Sequence, residues 1–149
     1  MTMESAGHIV VSVTCTTDPY EANDCVGGLL TLVLPSYGRI VGVTLSDGAK
    51  QDKATELVLF HTEPAAQPDA DAFAPIAADV QKILHVVKIP AANYSDYVNR
   101  SVATVRGLTI PFKAVVGNDN IGRIWGALVT RSTPTYAAAS LQLQLHIEQ

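Results

Sequence analysis

The sequence predicts an all-β protein, an antiparallel two-sheet sandwich carrying one short helix. Three observations predict it. Short runs rich in β-branched and aromatic residues recur at spacings of roughly 10–15 residues. Clusters of Gly, Pro, Asn and Asp separate them. The last run, Leu141 to Glu148, alternates apolar and polar residues without exception, which is the period-two signature of a strand with one wet face. At 149 residues the chain fits one domain and can bury a core without help from a disulfide or a metal.

The elements follow in order. His8 to Cys15 alternates and places Ile9, Val11, Val13 and Cys15 on one face. Residues 18–24 form a loop. Val26 to Leu34 is apolar at nearly every position, as in a strand buried on both sides or an interior helix; Gly27, Gly28 and Thr31 favour the strand. Residues 35–38 turn, and Arg39 to Leu45 continues with Val41, Val43 and Leu45 inward. A second turn, residues 46–48, precedes the buried strand Glu56 to His61. Thr62 to Asp71 is a loop rich in Pro, Ala and Asp. Phe73 to Lys82 is the expected helix, of two or three turns. Ile76, Val80 and Ile83 stand at helical spacing there, and Pro75 suits a first turn. Ile83 to Ile89 is a strand ended by Pro90, and residues 95–99 are a polar connection. Ser101 to Arg106 and Leu108 to Val116 read as two strands, and Pro111 puts the second at a sheet edge or a bulge. After the turn at residues 117–120 comes Ile121 to Arg131, carrying Trp125. Leu141 to Glu148 is a half-solvated or edge strand. About nine strands in one domain of this length suit a jelly roll.

Composition narrows the function. Apolar residues make up 48% of the chain and charged residues 16%, against a usual charged share of about 25%. Such a chain has a large core or an apolar surface that a partner covers. The net charge is −4, and the ten Lys and Arg residues are scattered, which argues against nucleic acid as a partner. No segment approaches the ~20 apolar residues of a membrane span. The first residues lack the basic flank and apolar run of a secretory signal, so the protein is expected to be made in, and to stay in, a cytoplasm. Cys15 and Cys25 read as small hydrophobic thiols in or near strands; a disulfide would close a short loop, and a reducing compartment disfavours it.

No reactive constellation is visible. His8, His61, His85 and His146 are far apart in sequence, with no H-x-H or H-E-x-x-H; only a convergence of His61, His85 and His146 in space would make a metal site. Neither cysteine has a nearby His. Asp69 and Asp71 lie in the Pro/Ala loop and read as a solvated turn without the further oxygens that calcium needs. The two N-x-S sequons, at Asn93 and Asn99, matter only on a secretory route. The chain is therefore expected to be non-enzymatic and to need no cofactor. Its candidate residues are contact residues. Trp125 is either core or an interface anchor. Tyr94 and Tyr97, with Asn99 and Arg100, form a loop cluster that suits a contact surface or a sugar site. The polar face of the last strand, Gln142, Gln144 and His146, is the expected edge for pairing between protomers. Residues 1–7 are expected to act as a flexible arm.

Several blocks in order resemble the small jelly-roll cement, or head decoration, proteins of tailed-bacteriophage virions. They are Val26-Gly27-Gly28-Leu29-Leu30, Gly38 to Leu45, Glu56 to Phe60, Ala72-Phe73-Ala74-Pro75, Ser101 to Val105, Leu108 to Phe112, Trp125 to Tyr136 and Leu141 to Ile147. Together they span most of residues 8–149. The resemblance implies a structural virion protein on the outside of an icosahedral head, binding the major capsid protein and forming a homo-oligomer, most simply a dimer. The alternative is a tail, baseplate or carbohydrate-binding module on the same fold.

Overall fold

The alternation seen in the sequence becomes a two-layer structure because the strands have at least one greasy face to hide. The computed structural model describes residues 6–149. Ten strands are present among them: β1 (Ala6–Val13), β2 (Cys25–Leu34), β3 (Tyr37–Asp47), β4 (Thr55–Phe60), β5 (Ile83–Ile89), β6 (Tyr94–Asp96), β7 (Ser101–Lys113), β8 (Val115–Val116), β9 (Gly122–Thr130) and β10 (Leu141–Glu148). Sheet one has the order β1-β10-β3-β7-β6, and sheet two the order β2-β9-β4-β5, with β8 added beside β9. Every pairing is antiparallel. The molecule is an antiparallel β-sandwich.

The main core lies between the sheets. Val43 and Leu45 of β3 and Leu143 and Leu145 of β10 face Leu32 and Leu34 of β2, Leu57 and Leu59 of β4, and Ile124 and Leu128 of β9. All are buried, each such side chain contributing roughly 1.5–3 kcal/mol relative to exposure. The outer face of sheet two carries a second apolar cluster: Cys25, Val58, Phe60, Trp125, Ala127 and Val129. This is why β4 and β9 are apolar on successive residues: both faces are covered.

The cover is the long connection 61–82. Phe73 packs on the second cluster, its ring 6.3 Å from that of Phe60. Backbone bonds pin the connection to the start of β2: Cys25 N–H donates to Asp71 O at 2.8 Å, Ala70 N–H to Cys25 O at 2.9 Å, and Phe73 N–H to Asn23 O at 2.8 Å. Asp69 is the anchor. Its carboxylate accepts the Gly27 N–H at 2.7 Å, the Thr16 N–H at 3.0 Å and the Tyr20 hydroxyl at 2.7 Å. The Gly27–Gly28 pair makes this possible. Both have positive φ, 84° and 74°, and the register of β2 against β9 shifts between Val26 and Leu30. The two glycines form a bulge that aims a backbone N–H at Asp69.

Five expectations need correction. The helix is one turn, α1 (Ala77–Val80), rather than Phe73 to Lys82. Phe73 is spent on the strand-like contact with Asn23 and on the second cluster, while Ile76 and Val80 are exposed instead of forming a packed stripe. Ser101 to Arg106 and Leu108 to Val116 are mostly one strand, β7, because Gly107 at φ 71° lets the chain bulge without leaving the sheet. The Leu141–Glu148 strand is half-solvated but is no edge: β10 is paired on both sides, to β1 and β3. Val41 is not part of the core; an irregularity in β3 turns it toward the outer face. Of the expected arm, residues 1–5 lie outside the described residues, whereas Ala6 and Gly7 already belong to β1.

Candidate functional site

The outer face of sheet one is a polar surface that the topology builds. Register and alternation set out its rows. One row runs Ser12, Gln142, Ser46, Val102, Ser95; the next runs Val10, Gln144, Thr44, Thr104; the third runs His8, His146, Gly42, Arg106. No residue in these rows is acidic, although the chain as a whole carries net negative charge. The fourth row brings Glu148 beside Arg39, and the two form an ion pair at 2.6 Å. Apart from Val10, Val41 and Val102, the face is hydroxyls, amides, imidazoles and guanidinium groups, the donor-rich inventory of a polar contact surface.

Its centre is irregular. The pairing of β10 with β3 shifts between His146 and Ile147, leaving Val41 as an extra residue in β3. The pairing of β3 with β7 shifts at the same place, where Gly42 faces Arg106 and Ile40 faces Ile110. Gly42 has no side chain to fill the space. The result is a hollow of about 410 Å³ lined by Val41, Gly42, Thr44, Thr104, Arg106 and His146. Within it His146 Nε2 is 3.0 Å from Thr44 Oγ1, which is 3.5 Å from Thr104 Oγ1. The His8 ring lies 6.2 Å from that of His146.

The contact residues expected from the sequence separate into groups. Gln142, Gln144 and His146 stand together on this face. Arg100 joins them, donating to Ser46 Oγ at 3.0 Å. Arg100 and Gln142 also line a second hollow of about 420 Å³ with Gly48, Asn99, Ala137, Ala139 and Ser140. Tyr97 is exposed in the loop that leads to Arg100. Tyr94 is different: it packs against the main core, and its hydroxyl is buried, with no partner at full hydrogen-bond geometry among the described residues. Burial, with the nearby Asp47 charge, pushes that hydroxyl well above the ordinary tyrosine range. Trp125 is apart from all of these, on the other sheet and only 7% exposed. Of its two readings the structure gives the core one.

The histidines do not converge in the way a metal site requires. His85 faces Leu59 on sheet two, and His146 is on the outer face of sheet one. Among the described residues no group of three His, Cys, Asp or Glu side chains is placed to hold a metal ion. Cys15 and Cys25 are free and buried. Burial first, and nearby aspartate charges, push both thiols up to about 11, so neither is a thiolate at neutral pH. Asp69 is not the solvated turn residue expected; it takes three hydrogen bonds.

Sequence reasoning missed Thr44, Thr104, Arg106 and Gly42 as one group. Two glycines carried the signal. Gly42 interrupts an otherwise good strand, and Gly107 separates two strand-like runs; a lone Gly in a strand marks a bulge or a close approach. In comparisons with known proteins, no family model matches the chain, and no curated protein matches its sequence.

Proposed function

We propose that the chain is a non-enzymatic structural protein of a large assembly, of the head-decoration kind that its sequence resembles. On this reading a jelly-roll body sits on the outside of a phage head, binds the major capsid protein and self-associates as a dimer. The strand order supports the jelly roll: β1 pairs with β10, β2 with β9, β3 with β7 and β4 with β5, nested like a long hairpin rolled up.

The observation that carries this reading is the outer edge of β1. Exposed sheet edges are ordinarily protected by Lys, Pro, bulges or very short strands. β1 has none of these. It runs for eight residues, AGHIVVSV, and pairs with β10 without a register shift. Its outer side is unpaired among the described residues. Val10, on the outward face, is 47% exposed. Such a strand is a template for another strand, and many copies on a lattice multiply a modest contact into firm attachment. The pairing edge expected at β10 is thereby moved to its neighbour.

Val10→Lys places a charge on that edge strand without touching the core. Sedimentation velocity is expected to show self-association of the wild-type chain and its loss in Val10→Lys, with an unchanged far-UV spectrum. A wild-type chain that stays monomeric at ~100 µM, well above typical weak-interface affinities, would sink edge pairing. Copy number on isolated particles tests the wider reading: hundreds of copies fit a head coat, a handful a tail.

A second reading has its own support. The hollow between Asn99, Arg100, Ser140 and Gln142 offers amide and guanidinium donors, and the exposed Tyr97, whose N–H donates to Arg100 O, supplies an aromatic ring from the same loop, the groups that sugar sites use. A glycan array showing no hits removes it.

A further inference from the structure

The bulged centre of sheet one has the make-up of a ligand site. Elsewhere in the sheet the pairing of β10 runs in step with its neighbours; the shifts on both sides of β3 fall at Val41 and Gly42. Bulges re-aim side chains and recur beside binding sites. Here Arg106 is the last residue of β7 in step with β3 before the shift, and it lines the hollow on the outer face. The Arg106 guanidinium makes no ion pair or hydrogen bond among the described residues. His146, Thr44 and Thr104 line the same hollow, already linked to one another through their side chains. Among the described residues no acidic side chain lines the hollow.

We infer that this hollow binds a small oxyanion, a carboxylate or phosphate group on a larger polar molecule, held by the Arg106 guanidinium and the His146–Thr44–Thr104 chain. A guanidinium fork matches the two oxygens of such a group, and hydroxyls complete its coordination. Gly42 lets the His146 side chain lie close to the β3 backbone: a Cβ there would stand 3.2 Å from Val105 O and 3.3 Å from His146 Cδ2. The volume, about 410 Å³, exceeds a bare anion and falls within the range of small-molecule sites, about 300–1,000 Å³. The site is distinct from the β1 edge and does not depend on the assembly role.

Two-dimensional NMR titration of the ¹⁵N-labelled full chain tests it, with inorganic phosphate, glucuronate and, as neutral control, glucose. Saturable shifts at Gly42, Thr44, Thr104 and His146 are expected with an anion and not with glucose. Arg106→Gln is expected to weaken binding at least tenfold with the rest of the spectrum intact. Arg123→Gln, which breaks a guanidinium–carboxylate pair with Asp119 elsewhere, is expected to leave it unchanged. Response to phosphate alone assigns a phosphate-bearing ligand, and response to glucuronate alone a carboxylate-bearing one. No saturable shift with either anion, or equal binding by Arg106→Gln, overturns the inference.

Discussion

At Gly27 a methyl group would lie 2.3 Å from Val13 Cγ1, and the φ of 84° is one that L side chains rarely adopt. Gly27→Ala is therefore expected to cost about 2–4 kcal/mol, the sum of backbone strain and overpacking, read as a lowered urea midpoint. The two thiols give a second prediction. Their folded values, about 11 against an ordinary 9.0, are raised, so the neutral form is favoured by folding. That stability is fully present below pH 9 and is lost as pH rises toward 11. The loss is on the order of 1–2 kcal/mol for each thiol, and Cys25→Ala should flatten the fall in urea midpoint between those pH values. At this scale the sequence was uneven. The inward residues of β10, Leu141, Leu143, Leu145 and Ile147, were legible because alternation alone names them. Val41 was not: one inserted residue reverses which side a strand position faces, and an insertion is visible only against the partner strand.

Among the elements, the connection 61–82 behaves least like its composition. Rich in Pro and Ala, it reads as solvated loop, yet it roofs the second apolar cluster and is held through Asp69. Asp69→Ala leaves the Gly27 N–H and the Tyr20 hydroxyl without their acceptor and the Thr16 N–H with only the Tyr20 oxygen. A loss of about 2–4 kcal/mol is expected, with faster amide hydrogen exchange at residues 70–73 than in β3. An equal rise in exchange across both sheets would show instead that the anchor serves global stability only. The strands themselves were readable because β-branched runs and turn residues mark them. The short helix was overread: Ile76, Val80 and Ile83 have helical spacing, but Asp79 is drawn off to accept the Ala65 N–H at 3.0 Å and pair with Lys82 at 3.1 Å, and Ile83 opens β5. Asp69 was misread for a similar reason, since its three donors are 42 to 53 residues away.

For the molecule as a whole, pairing is mostly between distant parts of the sequence. β1 meets β10 with Ala6 opposite Glu148, and β2 meets β9. Folding must close these long loops before they are rewarded, so refolding is expected on the millisecond-to-second scale of high-contact-order sandwiches, measurable by stopped-flow Trp125 fluorescence. Sandwich architecture was legible in the number and length of the segments. Strand order was not, because a strand's own residues do not say which neighbour it will choose; that is how β10 came to be taken for an edge.

The meeting of Ala6 and Glu148 has a practical corollary. The first and last described residues depart from one corner of the body. A short tether could join them, and new termini could be opened in the exposed turn at residues 117–120. A group attached at Ala6 or at Glu148 would leave from that same corner, alongside β1, and a bulky one would act as a shield over it.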